Sequence, residues 1–274
     1  MIVAVLIVTG LCFGSFVNAL VWRLHEQSRT GKKADRQLSI LHGRSLCPDC
    51  RHQLSAFDLV PVFSWLSLRG RCRYCRKPIS KQYPIVELGT AVLFVGSYLL
   101  WPADLAGAQT ILFVLWLGLL VGFMALTIYD LRWMLLPNRI VYPLSLLAVA
   151  QAVVRVVAAP SPLHQLVDTA GAVAVGGGIF YLLYQVSNGK WIGGGDVRLG
   201  WLLGLTVATP QDSLLFIFLG SIAGTLISLP LLANHRLKSK SLIPFGPLLI
   251  LGAIVVQLLG ADIWTWYRHI MLMS

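Results

Sequence analysis

Apolar residues run along this chain in long unbroken stretches. They neither alternate as in a half-buried strand nor recur at the spacing of an amphipathic surface helix. A helix needs about 20 apolar residues to cross a bilayer. The pattern predicts eight spans, near residues 1–22, 85–101, 109–130, 138–157, 167–187, 196–208, 211–233 and 242–260, the sixth being short. No Lys or Arg precedes Arg23, and no small-residue cleavage pattern precedes the charges, so residues 1–22 read as a retained span rather than a secretion signal. Gly171, Gly176, Gly177 and Gly178 in the fifth span, with Gly220 and Gly224 in the seventh, are expected to let helices approach closely. Pro137, Pro230, Pro244 and Pro247 fall near span ends, where a missing amide is tolerated. The predicted fold class is an all-α polytopic membrane protein of about eight transmembrane helices.

Composition agrees, with 57% hydrophobic residues, 12% charged and a mean hydropathy of +0.75. The net charge of +11 raises the question of a nucleic-acid partner. Most of the excess is confined to residues 23–84, where 13 Lys and Arg face 4 Asp and Glu. Smaller basic connections hold Arg132 and Arg139, then Lys190 and Arg198, then Arg236, Lys238 and Lys240. The intervening connections 102–108, 158–166 and 209–210 hold none. Basic and neutral connections thus alternate, with Arg155 and Arg268 on the minority side. This is the positive-inside pattern of a lipid bilayer protein rather than a nucleic-acid binder. It predicts both termini outside and the 23–84 segment in the cytoplasm. No internal repeat is visible, which counts against an inverted-repeat transporter.

That segment carries Cys47-Pro48-Asp49-Cys50 and Cys72-Arg73-Tyr74-Cys75, two CxxC pairs at the spacing of a tetrahedral zinc site. The flanking Arg51, Arg71, Arg73 and Arg76 are expected to favour thiolates. A disulfide pair does not suit a reducing compartment, and a lone redox motif would not come doubled. Four thiolate ligands leave no open position, so the metal is expected to be structural. His42 and His52 are expected to be solvated, and Cys12, in an apolar span, to be buried.

Acids at membrane depth are rare and need a reason. Asp104, Asp168, Asp212 and Asp262 fall at neutral ends, where solvation or capping suffices. Asp130 and Asp196 both fall on the basic side, at the end of the third span and the start of the sixth. Two carboxylates at one depth can share a proton. The ionised partner then activates water while the protonated one polarises a carbonyl. Gly193-Gly194-Gly195 before Asp196 leaves backbone freedom and room for an extended peptide. The plainer readings are an N-cap for Asp196 and a charge snorkelling beside Arg132 for Asp130.

Taken in order, these motifs resemble the bacterial type 4 prepilin leader peptidase and N-methyltransferase family. Gly14-Ser15-Phe16-Val17-Asn18 with Arg23-Leu24, the two cysteine pairs, and Tyr83-Pro84 through Glu87 carry its N-terminal part. Asp130 with Leu136-Pro137-Asn138, the Gly193-Gly194-Gly195-Asp196 form of the GxGD motif, and Pro244-Phe245-Gly246-Pro247 carry the rest. The resemblance implies an inner-membrane enzyme acting on prepilin or pseudopilin substrates. It would remove a basic leader at the cytoplasmic face and methylate the new N-terminus with S-adenosylmethionine. It implies Asp130 and Asp196 as the catalytic pair and Cys47, Cys50, Cys72 and Cys75 as zinc ligands. Gly14, Asn18, Arg23 and Glu87 are candidates for the methyl-donor site, although no glycine-rich nucleotide motif appears. The expected organisation is a first span at 1–22, a zinc-stapled segment at 23–84 associated with methyl transfer, and a peptidase domain at 85–274. Another GxGD intramembrane protease, a proton-coupled transporter using the same aspartates and a non-enzymatic zinc scaffold are the alternatives. Oligomeric state is not legible in the sequence.

Overall fold

The computed structural model describes residues 1–30, 38–40, 42–233 and 244–273. The basic connection 234–241 and residues 31–37 of the first basic segment lie outside these. Nine α-helices are found among the described residues: α1 (Ile2–Thr30), α2 (Phe63–Ser67), α3 (Gln82–Leu99), α4 (Ala108–Trp133), α5 (Asn138–Ala158), α6 (Pro162–Ser187), α7 (Gly194–Thr206), α8 (Pro210–Ala233) and α9 (Gly246–Met273). Eight of them overlie the eight predicted spans. Six, namely α1, α4, α5, α6, α8 and α9, are long and apolar enough to cross a membrane, the last two judged over Pro210–Leu229 and Gly246–Met271. The chain is a multi-pass membrane protein. α3 and α7 do not meet that standard, and α7 has 13 residues, about 20 Å of helix against a hydrocarbon core of about 30 Å.

The chain divides into two compact units, Met1–Leu99 and Leu100–Ser274. Residues 85–99, grouped from sequence with the peptidase part, therefore belong with α1. In the first unit α1 packs along α3 through two glycines. A Cβ at Gly10 would stand 2.5 Å from Ala91 Cα, and one at Gly14 would stand 2.5 Å from Glu87 Cα. Gly10, Gly14, Val17, Asn18 and Val21 form the buried stripe of α1. Cys12 lies off that stripe and is exposed, contrary to the expectation of burial, because an apolar stretch in lipid need not face protein. At 29 residues, α1 is about 43 Å long and outruns the hydrocarbon, so its last turns can hold polar chain. Arg23 donates to the carbonyls of Ser39, Ile40 and Gly43 at 3.1, 3.3 and 2.9 Å. Gln27 donates to Leu38 O at 2.6 Å.

In the second unit the short α7 is the central helix, packed against α5, α6, α8 and α9. Its Leu199, Leu202 and Leu203 are fully buried. A helix enclosed by other helices does not need to match the bilayer, which explains its length. The α6–α7 seam is glycine to glycine. A Cβ at Gly200 would lie 2.4 Å from Gly176 O, and one at Gly204 would lie 2.7 Å from Ala172 O. Trp201 lies across Gly177, where a Cβ would meet its ring at 1.4 Å. Gly178, grouped with these from sequence, faces open space. Arg155, anomalous for charge topology, donates to Thr206 O at 2.6 Å and Val207 O at 2.9 Å. It satisfies carbonyls that the end of α7 leaves unpaired.

Candidate active site and metal centre

Asp130 sits in the last turn of α4. Met134 closes that helix in the left-handed conformation (φ 52, ψ 42), its N–H donating to Asp130 O at 2.8 Å. The extended Leu135-Leu136-Pro137 then leads into α5, with Pro137 at its N-cap. The Asp130 side chain is buried, 5% exposed, so it faces the helix bundle and does not snorkel beside Arg132. Asp196 is the third residue of α7, after the N-cap Gly193. Its carboxylate reaches back to the Gly193 N–H, the capping contact that is the plainer reading of this residue. Asp196 lies within electrostatic reach of Asp130. The structure brings the two together.

A third element completes the site. The backbone N–H of Gly246, at the start of α9, donates to the Asp130 carboxylate, and a Cβ there would stand 2.7 Å from Asp130 Oδ2. Two helix N-termini, those of α7 and α9, thus direct amides at acids, an arrangement that stabilises negative charge. In the sequence Gly246 stands out only as part of the Pro244-Phe245-Gly246-Pro247 motif. The signal that could have found it is a glycine between two prolines at a helix start. The two aspartate motifs also touch directly. A Cβ at Gly195 would lie 3.3 Å from Leu136 Cβ, and Arg198 donates to the Asn138 side chain.

The four paired cysteines gather in the first unit with their sulfurs all within 4.8 Å of one another. Cys47 and Cys75 Sγ are 3.9 Å apart. Tetrahedral coordination with Zn–S of about 2.3 Å sets sulfurs about 3.8 Å apart, so the four thiols fit a metal ion. The two loops repeat each other. Cys47 N–H donates to His52 O and Cys72 N–H to Lys77 O, both at 2.9 Å. Bridges pair Leu46 with Gln53 and Arg71 with Pro78. Arg51 and Arg76 take φ +58 and +60. Burial pushes the Cys47 thiol up to about 12, whereas at Cys72 burial is outweighed by hydrogen bonds from the Cys75 and Tyr74 amides, which hold that thiol below its ordinary value, and none of the flanking arginines acts on either. Two of those arginines are committed elsewhere: Arg51 to Glu26 at 2.6 Å and Arg73 to Asp58 at 2.7 Å. His52 stacks on Tyr74 with ring centroids 3.7 Å apart, and neither it nor His42 belongs to the cluster.

Three of the four methyl-donor candidates lie on the α1–α3 seam within about one turn of each other. Gly14 touches Glu87. Asn18 Nδ2 donates to Tyr83 O at 3.2 Å, and its Oδ1 accepts from Gln82 Nε2 at 3.1 Å. The Glu87 carboxylate accepts the Val62 N–H at 2.7 Å. Arg23 stands apart, holding the carbonyls of the 39–43 loop.

Residues 8–101 match the Bacterial Peptidase A24 N-terminal domain, and residues 111–229 match the Type IV leader peptidase family. The cysteines fall in the first match and both aspartates in the second. The chain is 32% identical to a prepilin leader peptidase/N-methyltransferase of Aeromonas hydrophila, over 94% of this chain and 91% of that one. It is 34% identical to one of Aeromonas salmonicida over 94% and 91%, and 29% identical to one of Bacillus subtilis (strain 168) over 96% and 97%. No solved structure matches it. With buried and half-buried acids meeting at three helix ends in one unit, a four-thiol cluster in the other, and these relatives along nearly its whole length, the chain belongs to the prepilin leader peptidase/N-methyltransferase family of enzymes.

Proposed function

We propose that the protein is a membrane aspartic endopeptidase of the bacterial inner membrane, and that it removes the basic leader from prepilin or pseudopilin substrates at the cytoplasmic face. The observation that carries this reading is the meeting of two acids from separate helices, Asp130 and Asp196, under helix-end amides. With one proton between them, the ionised carboxylate accepts a proton from water as the water attacks the scissile carbonyl. The protonated carboxyl donates to the developing oxyanion. Collapse of the tetrahedral intermediate breaks the C–N bond, and a proton passes to the leaving amine. The Gly246 N–H holds the Asp130 carboxylate in place. The alternating basic connections support a cytoplasmic setting, the side on which a basic leader is retained.

The reading extends to N-methylation of the new N-terminus, for which S-adenosylmethionine would supply an electrophilic methyl group. Gly14, Asn18, Arg23 and Glu87 are carried forward as donor-site residues on the family resemblance, alongside the packing contacts they already make. Zinc on Cys47, Cys50, Cys72 and Cys75 would act as a tetrahedral staple for the 23–84 segment.

The test is mass analysis of a prepilin peptide with a basic leader, incubated with purified protein and methyl-labelled S-adenosylmethionine. One spectrum reports both the cut and the added methyl. An intact peptide would overturn the peptidase reading, and a cut but unmethylated product would remove the methyl-transfer part.

A further inference from the structure

Between the two cysteine loops runs Ala56-Phe57-Asp58-Leu59-Val60-Pro61-Val62-Phe63-Ser64-Trp65-Leu66-Ser67, with no Lys or Arg. It forms a 3-10 turn, Ala56–Leu59, followed by α2. Its large side chains point away from the protein: Phe57 is 80% exposed, Phe63 69% and Leu66 57%. Trp65 alone turns inward, over Gly70, with Nε1 donating to Ile79 O at 3.2 Å. The one acid, Asp58, is turned back into an ion pair with Arg73 and a capping contact with Ser55. Water gives no reason to display three such side chains on a loop whose charge is neutralised.

The depth of the segment does give a reason. Val62 N–H is held by the Glu87 carboxylate, and Glu87 packs at the level of Gly14 on α1. From Gly14 to Arg23, the first charged residue of α1, is about 14 Å at 1.5 Å per residue. The Glu87 side chain leans back toward the start of α3, which returns part of that distance. Val62 therefore lies several ångströms inside the level at which α1 becomes charged. Basic residues without a carboxylate partner in the ion pairs above flank the segment in sequence, with Arg44 before it and Arg69, Arg71 and Arg76 after it. An apolar tip flanked by cations on either side along the chain is the pattern of an interfacial membrane anchor.

We infer that residues 56–67 form a re-entrant anchor inserted in the leaflet on the basic side, with Phe57, Phe63 and Leu66 in the acyl-chain region and the flanking arginines at anionic headgroups. The backbone chemistry fits a dry setting. The Phe63 N–H donates to Pro61 O at 2.6 Å across a γ-turn in which Val62 takes φ 62, ψ −51. That conformation is strained for a β-branched residue. The free Val62 N–H would be costly in lipid, and Glu87 satisfies it. Glu87, an acid at membrane depth, thereby acquires a role unconnected to methyl transfer.

The test uses the full chain in nanodiscs of phosphatidylethanolamine and phosphatidylglycerol, one molecule per disc, carrying a fluorescent noncanonical side chain at position 57 or 63. The same reporter at Val92, 69% exposed on α3, sets the lipid benchmark. Positions 57 and 63 are largely exposed, so the reporter displaces little packing, and retained metal verifies folding. We expect chain-brominated lipids to quench positions 57 and 63 at least half as strongly as position 92, and aqueous iodide to quench them less than threefold above it. Strong iodide quenching without bromolipid quenching would overturn the anchor in favour of a solvated surface. Shielding from both quenchers would overturn it in favour of a protein partner.

Discussion

The two units make their sites in opposite ways. In the first, four cysteines come from two short loops, each built by hydrogen bonds within seven residues of its first cysteine. The loops repeat one geometry, down to a positive-φ arginine after each second cysteine. In the second unit, the aspartates come from helices far apart in sequence. Their meeting depends on the close seam of α6 and α7 and on α9 bringing an amide to Asp130. Local chain geometry determines the four-thiol cluster, whereas long-range packing determines the acid pair. The first should therefore survive damage to the second.

The sharpest test of this contrast is chemical. Asp130→Asn and Asp196→Asn should each lower prepilin cleavage by about 10²–10⁴-fold, with bound metal unchanged by elemental analysis. Loss of metal in either variant would mean the two centres are not separate. Metal removal is the mirror experiment. Cys72→Ser, a strong chelator or acidification should strip the ion, because thiolates take up protons as pH falls. Hydrogen exchange should then rise across 44–80 while α4–α9 stay protected.

Packing changes come next. Gly200→Ala drives a Cβ to 2.4 Å from the backbone oxygen of Gly176 and should destabilise the second unit by about 1–3 kcal/mol. Cleavage should fall while metal stays bound. Arg155→Gln removes a charged donor from the last carbonyls of α7 and should lower thermal stability by about 1–3 kcal/mol. The smallest effect is expected at Lys77→Ala. Its 3.0 Å pair with Asp49 is solvent-exposed on both sides, and exposed pairs contribute less than about 1 kcal/mol. A large loss of metal in that variant would show that the loops need more than their own hydrogen bonds.

Much of this was legible in the amino-acid order. The apolar runs located eight helices, six of them to within about five residues at each end, while α1 and α9 run on to Thr30 and Met273, eight and thirteen residues past the expected ends. The cysteine spacing located a four-thiol cluster because its geometry is local. Asp130 and Asp196 stood out because charge at membrane depth is costly and so needs a purpose. Other features were beyond sequence reasoning for physical reasons. Cys12 and Gly178 looked like their neighbours, but the face of a uniformly apolar helix is decided only by what packs on it. Arg155 looked like a topological exception until its guanidinium was found on the end of α7. The arginines around the cysteines suggested stabilised thiolates, yet Arg51 and Arg73 are drawn off by Glu26 and Asp58.

By itself, then, the sequence determined which segments are helical and membrane-bound, which thiols cluster and which acids are exceptional. Periodicity, hydropathy and short-loop geometry are properties of neighbouring residues. Only the tertiary structure decided that Gly246 reaches Asp130, that α7 lies enclosed among four helices, and that Glu87 holds the Val62 amide. Each of these pairs residues distant along the chain, and close packing, not local preference, selects such pairs.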